Sequence, residues 1–194
     1  MGEIDRTRAI ARVLLQRRDQ LIVTGLGEPC SDVGRLEDRP LNFYLGGAMG
    51  MAASVGLGLA IARPERSVVV VTGDAELMMN VGALATIAVQ RPPNLSIIVM
   101  DNEEFGETGR QRSHTGLGVD IVGIARACGF AAAVTVREEK DLDGIAERTN
   151  AMTGPYLAVI KIRPGKAAGA PFVKGIRSGE AVKATFRQAL LGRP

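Results

Sequence analysis

Residues 67–74 read SVVVVTGD and residues 95–102 read LSIIVMDN. Each is an apolar run rich in β-branched residues that ends in a polar turn. The runs at Ser67–Thr72 and Leu95–Met100 lack polar alternation, which predicts strands covered on both faces, as in a parallel sheet lying between helices. Asp74 follows the first strand and Asn102 the second, so each stands where its strand leaves the sheet.

The rest of the chain alternates around these two strands. A helix over Asp5–Arg18 carries Ile10, Val13, Leu14 and Leu15 at roughly the helical period. A strand at Leu21–Thr24 leads into a Gly/Pro loop, GLGEPCSDVG, and a short extended piece at Asn42–Leu45 follows. Gly50–Ala62 is almost wholly small or apolar. It predicts a helix buried on most sides, with Ala52, Ala53, Gly56 and Gly58 allowing close backbone approach. A helix over Asn80–Gln90 stops before Pro92-Pro93. After the polar loop DNEEFGETGRQRSHTGLG, a helix starts at Asp120 as N-cap and ends at Gly129. A strand at Ala132–Val136, a helix at Lys140–Ala151 and a strand at Tyr156–Ile162 come next. A Gly/Ala/Pro stretch then leads to a helix at Gly179–Leu191.

Strands alternating with helices imply βαβ units. The expected fold is a single doubly wound α/β domain over residues 1–194, with a mostly parallel sheet and helices on both faces; residues 165–194 form a C-terminal linker and helix. Ligands of such sheets bind beyond the carboxyl ends of the strands, which directs attention to the loops after Thr24, Thr72 and Met100.

Composition narrows the function. The 194 residues are 46% hydrophobic and 23% charged with a net charge of +3, the balance of a globular protein. Aromatics are 4% and Lys and Arg form no dense patch, which argues against a nucleic-acid surface. Cys30 and Cys128 have neither metal-ligand spacing nor the density of a disulfide scaffold. No run reaches the roughly 18 apolar residues of a membrane span, and the charged N-terminus lacks a signal-peptide core. A cytoplasmic protein is expected.

If the two central strands are neighbours, Asp74 and Asn102 converge. One carboxylate, one amide oxygen and a backbone carbonyl form a hard-oxygen set suited to Mg²⁺, which takes phosphate oxygens and water as its other ligands. Gly73 and Ala75 are small enough for their N–H groups to approach a phosphate, and a following helix N-terminus favours an anion.

Gly73-Asp74-Ala75, Met78-Met79-Asn80 and Asp101-Asn102 resemble the signature of thiamine diphosphate (ThDP) enzymes, and Gly47-Ala48-Met49-Gly50 resembles their Gly-x-Met-Gly turn. The resemblance runs from NFYLGGAMGMAASVGLGLA onward. Within that family the chain is most similar to the β subunits of sulfopyruvate decarboxylase and to the C-terminal part of phosphonopyruvate decarboxylase. The resemblance implies Mg²⁺ held by Asp74, Asn102 and the main chain of Glu104. It also implies cofactor contacts from Gly47, Ala48, Met49, Gly73, Asp74, Ala75, Glu76, Asn102, Phe105 and Gly106. It points to a ThDP- and Mg²⁺-dependent 2-oxoacid decarboxylase subunit. An acetolactate-synthase-like carboligase subunit and a catalytically silent ThDP-binding or regulatory subunit remain open. The family's ylide-generating glutamate belongs to a separate pyrimidine-binding domain, which the resemblance assigns to a partner α chain in a homodimer or hetero-oligomer.

The chain departs from the family pattern at Ala75, in place of the third Gly, and at Glu76, where Ser or Thr is common beside the diphosphate. An anion facing the diphosphate weakens binding unless its side chain turns away. His114, the single histidine, is a candidate for substrate contact or proton transfer, although a lone loop histidine is more often simply solvated. Cys30 and Ser31 are candidates for diphosphate contact or for loop packing. Met78 and Met79 fit core filling. Gly25-x-Gly27 lacks the third Gly of a dinucleotide fingerprint. A receiver-like Mg²⁺ module would also place Asp at strand ends but leaves Gly47–Gly50 unexplained.

Overall fold

A computed structural model describes residues 4–15, 17–165 and 179–192. Its strands are β1 (Leu21–Thr24), β2 (Asn42–Tyr44), β3 (Val68–Gly73), β4 (Leu95–Asp101), β5 (Glu104–Phe105), β6 (Gln111–Arg112), β7 (Ala132–Val136) and β8 (Tyr156–Lys161). Its helices are α1 (Arg6–Val13), α2 (Glu28–Leu36), α3 (Ala52–Ala62), α4 (Asp74–Met78), α5 (Ala83–Gln90), α6 (Ile121–Cys128), α7 (Leu142–Ala151) and α8 (Gly179–Leu191). Among the described residues, six strands form one parallel sheet in the order β2-β1-β3-β4-β8-β7, and β5 pairs antiparallel with β6.

Covered faces explain the uninterrupted valines of β3. Val68 and Val70 pack into the layer that holds α3, α5, α6 and α8. Val69 and Val71 point the other way, into the layer of α1, α2 and α7. Strand side chains alternate between faces, so a strand with helices on both sides needs apolar residues at every position. All four valines have no exposed surface, and each buried side chain contributes about 2 kcal/mol by transfer from water.

α3 lies directly against the sheet. A Cβ on Gly56 would come within 2.3 Å of Val70 Cγ2 and 3.3 Å of Leu95 Cδ1, so only glycine lets the helix seat this closely. Ala52, Ala53 and Ala60 share that buried face. Gly58 does not, since it faces open space. Residues 45–62 and 77–90 contain no Asp, Glu, Lys or Arg. α3 and α5 therefore turn an uncharged outer face to solvent, with Ile61 56% and Val89 77% exposed.

Four elements differ from the sequence expectation. The Gly/Pro segment after β1 is not a loop beyond Gly27, because α2 starts there. Gly27 takes φ +81°, which an L side chain resists, and Pro29 fits the first helical turn, where its missing N–H is no loss. The helix expected from Asn80 starts at Ala83, and a short helix not expected from the sequence precedes it. The chain leaves β3 straight into α4, turns over Met79–Gly82, and resumes as α5. The turn has a cause: Asn80 Nδ2 donates to Ser54 Oγ of α3 at 3.3 Å, and Gly82 weakens any continuing helix. The polar loop after β4 contains the β5–β6 hairpin and a 3₁₀ turn at Thr115–Leu117. The first helix ends at Val13, short of Arg18. The C-terminal helix stands as expected at Gly179–Leu191, whereas the linker over residues 166–178 lies outside the described residues.

Among the described residues no helix is long and apolar enough to cross a membrane.

Candidate functional site

From β1 the chain proceeds through α2 to β2 on one side, and β3 pairs on the other. This reversal is the point at which doubly wound sheets bind ligands. β3 and β4 run in register with Gly73 opposite Met100, so both chains leave the sheet side by side. A cleft of about 690 Å³, counted with its open mouth, lies there. Met49, Gly73, Asp74, Ala75, Glu76, Asn102, Glu104, Phe105 and Gly106 all line it. Gly47 and Ala48 are not among the lining residues, although their neighbour Met49 is.

Asp74 is 1% exposed. Its Oδ2 accepts from Ser113 Oγ at 2.5 Å and from Thr115 Oγ1 at 2.8 Å. The loop beyond the β5–β6 hairpin thus folds back to fix the carboxylate. Burial, and then the nearby charge of Asp101, push the Asp74 pKa up. Asp101 is neutralised by Lys161, whose Nζ lies 2.7 Å from Asp101 Oδ2 and 2.7 Å from Glu103 Oε1. Burial alone would lower the Lys161 pKa, but these two carboxylates outweigh it and the ammonium is held above its ordinary range. Among the described residues no Lys or Arg forms an ion pair with Asp74.

The donor set fits a divalent cation. Asp74 brings a carboxylate without a counter-ion among the described residues. Asn102 brings an amide oxygen, which accepts from the Glu104 N–H at 3.2 Å. The Glu104 carboxylate is turned to Arg110, at 3.0 and 3.3 Å, which leaves its main chain as its contribution. No three His, Cys, Asp or Glu side chains cluster as a metal site among the described residues, so a cation here would complete its shell with backbone oxygens, water or a bound anion. Glu28 and Glu104, which line the cleft, are engaged by Arg6, Arg35 and Arg110, while Asp74, Glu76 and Glu107 line it with no ion pair among the described residues. A bare diphosphate would be repelled, whereas a diphosphate carrying Mg²⁺ is matched. Gly73 leaves open space where a Cβ would stand, so its backbone is approachable.

Glu76 is 4% exposed, and its Oε1 accepts from Gly50 N at 2.9 Å. Burial raises its pKa to about 7, opposed by the backbone N–H groups of Gly50 and Ala52.

His114 is exposed and does not line the cleft. It meets the rim through Phe105, with ring centroids 5.8 Å apart. Cys30 is fully buried in the α2 layer, where burial raises its thiol pKa to about 11. Ser113, Thr115, Lys161 and Arg6 stand at or beside the cleft but are not singled out by the sequence, and Asp101 is marked there only as part of the Asp101-Asn102 motif. The available signal was the polar triplet Ser113-His114-Thr115 in a Gly-bearing loop, of which the histidine alone drew attention.

A doubly wound parallel sheet with an acidic cleft at its switch point is the architecture of a ligand-binding α/β domain. Residues 30–161 match the family model described as thiamine pyrophosphate enzyme, C-terminal TPP binding domain, and the chain belongs to that family. It is 38% identical over 164 residues to the sulfopyruvate decarboxylase subunit beta of Methanothermobacter thermautotrophicus, covering 84% of this chain and 85% of that one. It is 39% identical over 165 residues to the phosphonopyruvate decarboxylase of Streptomyces viridochromogenes, covering 84% of this chain but 41% of the relative. A solved structure from Mycobacterium smegmatis, assigned to the thiamin diphosphate-dependent enzymes, shares the fold with a TM-score of 0.70. Its identity is 22%, over 84% of this chain and 33% of that one.

Proposed function

We propose that this chain is the diphosphate-binding subunit of a cytoplasmic, ThDP- and Mg²⁺-dependent 2-oxoacid decarboxylase of the sulfopyruvate or phosphonopyruvate type. The observation that carries this reading is the buried Asp74, without a cationic partner among the described residues, beside Asn102 in an acidic cleft. Asp74, Asn102 and the main chain of Glu104 would hold the cation. The backbone of Gly73 and Ala75 would take the phosphate oxygens, and Met49 would face the bent cofactor from the Gly47–Gly50 turn. Bound ThDP supplies an electron sink for loss of CO₂ from a 2-oxoacid. The chain's own share is to bind, to orient, and to neutralise charge through the metal. His114, next to Phe105 at the rim, is the candidate for substrate contact or proton transfer.

The pyrimidine-binding glutamate would come from a partner α chain. Two observations support a partner. The Streptomyces relative has more than half of its length outside the matched region, whereas the relative called subunit beta is matched over 85% of its length. The uncharged outer faces of α3 and α5 adjoin the cleft, with Met49, Met51 and Met79 exposed at that end. Exposed apolar surface of this kind marks an interaction site. The occupant is the subunit that corresponds to the unmatched part of the Streptomyces relative.

The silent-subunit reading rested on Glu76 facing the diphosphate. One of its carboxylate oxygens accepts from Gly50 N, which gives the residue a structural task and weakens that support. Calorimetric titration with ThDP, with and without Mg²⁺, tests the proposal. Heat of binding should appear only with Mg²⁺, and a flat titration under both conditions would overturn it.

A further inference from the structure

The ThDP site joins two segments that are far apart in sequence, the turn at Gly47–Gly50 and the strand exit at Gly73–Glu76. Glu76 connects them. Its Oε1 accepts from Gly50 N at 2.9 Å, across 26 residues. Its Oε2 lies so close to Gly25 that a Cβ there would sit 2.0 Å from it, and it has no hydrogen-bond partner among the described residues. The carboxylate is therefore wedged between the end of β1 and the turn that precedes α3. Met51, the N-cap of α3, supplies no side-chain hydrogen bond, so a carboxylate from another segment stands at this helix N-terminus.

The same segment grips the turn twice more. Gly50 holds φ +80°, and a Cβ on it would come within 2.9 Å of Asn80 Cβ and 3.3 Å of Met79 Cβ. Asn80 Nδ2 donates to Ser54 Oγ in the first turn of α3. The packing at Gly50 fixes the turn sterically, and Glu76 is the group that bonds its backbone.

We propose that Glu76 is a positioning residue that ties the Gly47–Gly50 turn to the Gly73–Glu76 segment, so that the two sides of the ThDP site are held as one body. This rests on the cofactor reading above and reverses the role expected of an anion beside a diphosphate. If Glu76 mainly repelled the ligand, removing its charge would tighten binding. As a tether its acceptor oxygen matters and its charge does not.

The test compares Glu76→Ala, Glu76→Gln and Gly25→Ala with the wild-type chain. Gln keeps an oxygen in place of Oε1 without the charge. Gly25→Ala keeps Glu76 but takes the space of its carboxylate. The first measurement, on the free chain, is hydrogen exchange of the Gly50 amide by NMR. Glu76→Ala and Gly25→Ala should speed it about tenfold or more, and Glu76→Gln should restore it to within about threefold. The second is ThDP affinity at saturating Mg²⁺, which should fall about tenfold in Glu76→Ala and Gly25→Ala and recover in Glu76→Gln. Gly50 exchange unchanged in both alanine variants would overturn the tether, as would affinity equal to or above wild type in Glu76→Ala. Should Glu76→Ala fail to fold, the contrast between Gly25→Ala and Glu76→Gln decides. Should the wild-type chain bind no ThDP, the cofactor reading fails, and the exchange measurement still decides whether Glu76 holds the turn.

Discussion

Thr115 Oγ1 stands 2.8 Å from Asp74 Oδ2 across 41 residues of chain, and the same oxygen is 2.8 Å from Asp101 Oδ1. One hydroxyl thus sits between two buried carboxylates that leave adjacent strands. Hydrogen bonds to charged groups contribute about 1.5–3 kcal/mol. Thr115→Val should therefore lower stability by about 2 kcal/mol in urea unfolding, and Ser113→Ala by a similar amount. Both should also weaken Mg²⁺-dependent ThDP binding, because the carboxylate proposed to hold the metal loses its orientation. Unaltered unfolding and unaltered affinity in the pair would show that the hydroxyls do not hold Asp74.

Asp74 supplies the one carboxylate expected to touch the metal. Asp74→Ala should abolish Mg²⁺-dependent ThDP binding while leaving the far-ultraviolet circular dichroism of the chain unchanged. Asn102→Ala should weaken binding less, since water replaces a neutral amide oxygen. Isothermal titration of both variants checks this, and full-strength binding by Asp74→Ala would remove the assignment.

Two glycines of α3 should respond in opposite directions. Gly56→Ala drives a methyl into Val70, and overpacking of this kind costs about 1–3 kcal/mol. Gly58 faces open space, so Gly58→Ala should stabilise the free chain by about 0.5–1 kcal/mol through helix propensity. Thermal melts of the two variants would contradict the seating of α3 if they moved together.

Stability should fall in alkali. The Cys30 thiol is raised from 9.0 to about 11 by burial, and Tyr44 beneath the same layer is raised too, again by burial first. Below about pH 9 folded and unfolded chains both keep the Cys30 proton. Between about pH 9 and 11 the unfolded chain releases it first, so stability declines as pH rises through that window, by about 2–3 kcal/mol from this thiol. Urea midpoints at pH 8 and 10.5 should show a smaller decline in Cys30→Ala than in wild type. Equal declines would mean that the thiol titrates as it does in the unfolded chain.

If the pyrimidine-binding glutamate comes from a partner α chain, as proposed, this chain alone should release no CO₂ from sulfopyruvate, phosphonopyruvate or pyruvate, even with ThDP and Mg²⁺. Activity should appear when the partner α subunit is added. Rapid turnover by the purified chain alone would place that function within these residues.

The central strands were legible because burial on both faces leaves a direct mark, a run of valines with no polar interruption. β1, β7 and α8 were placed for similar reasons of pattern. α2 was not, since Gly27 and Pro29 read as loop residues although together they start a helix. In the site, Asp74 and Asn102 could be paired because their strands are neighbours, a relation that ligand chemistry demands. Ser113 and Thr115 could not. They follow a hairpin with two residues in each strand, too short for any periodicity, and only the folded path shows where their hydroxyls point. Glu76 was visible as an anomaly, but its partner Gly50 lies in another segment.

The bond from the Ser113–Thr115 turn to Asp74 also sets an order of events. It closes a long loop, and such contacts form only after the entropy of closure has been met by nearer pairings. β3 must already lie beside β4, and the hairpin must have turned back, before those hydroxyls can reach the carboxylate. The proposed metal site would therefore be complete only on a chain whose sheet centre is finished. ThDP and Mg²⁺ would meet the protein as ligands of the folded state, raising its stability by mass action, rather than as a template on which the sheet assembles.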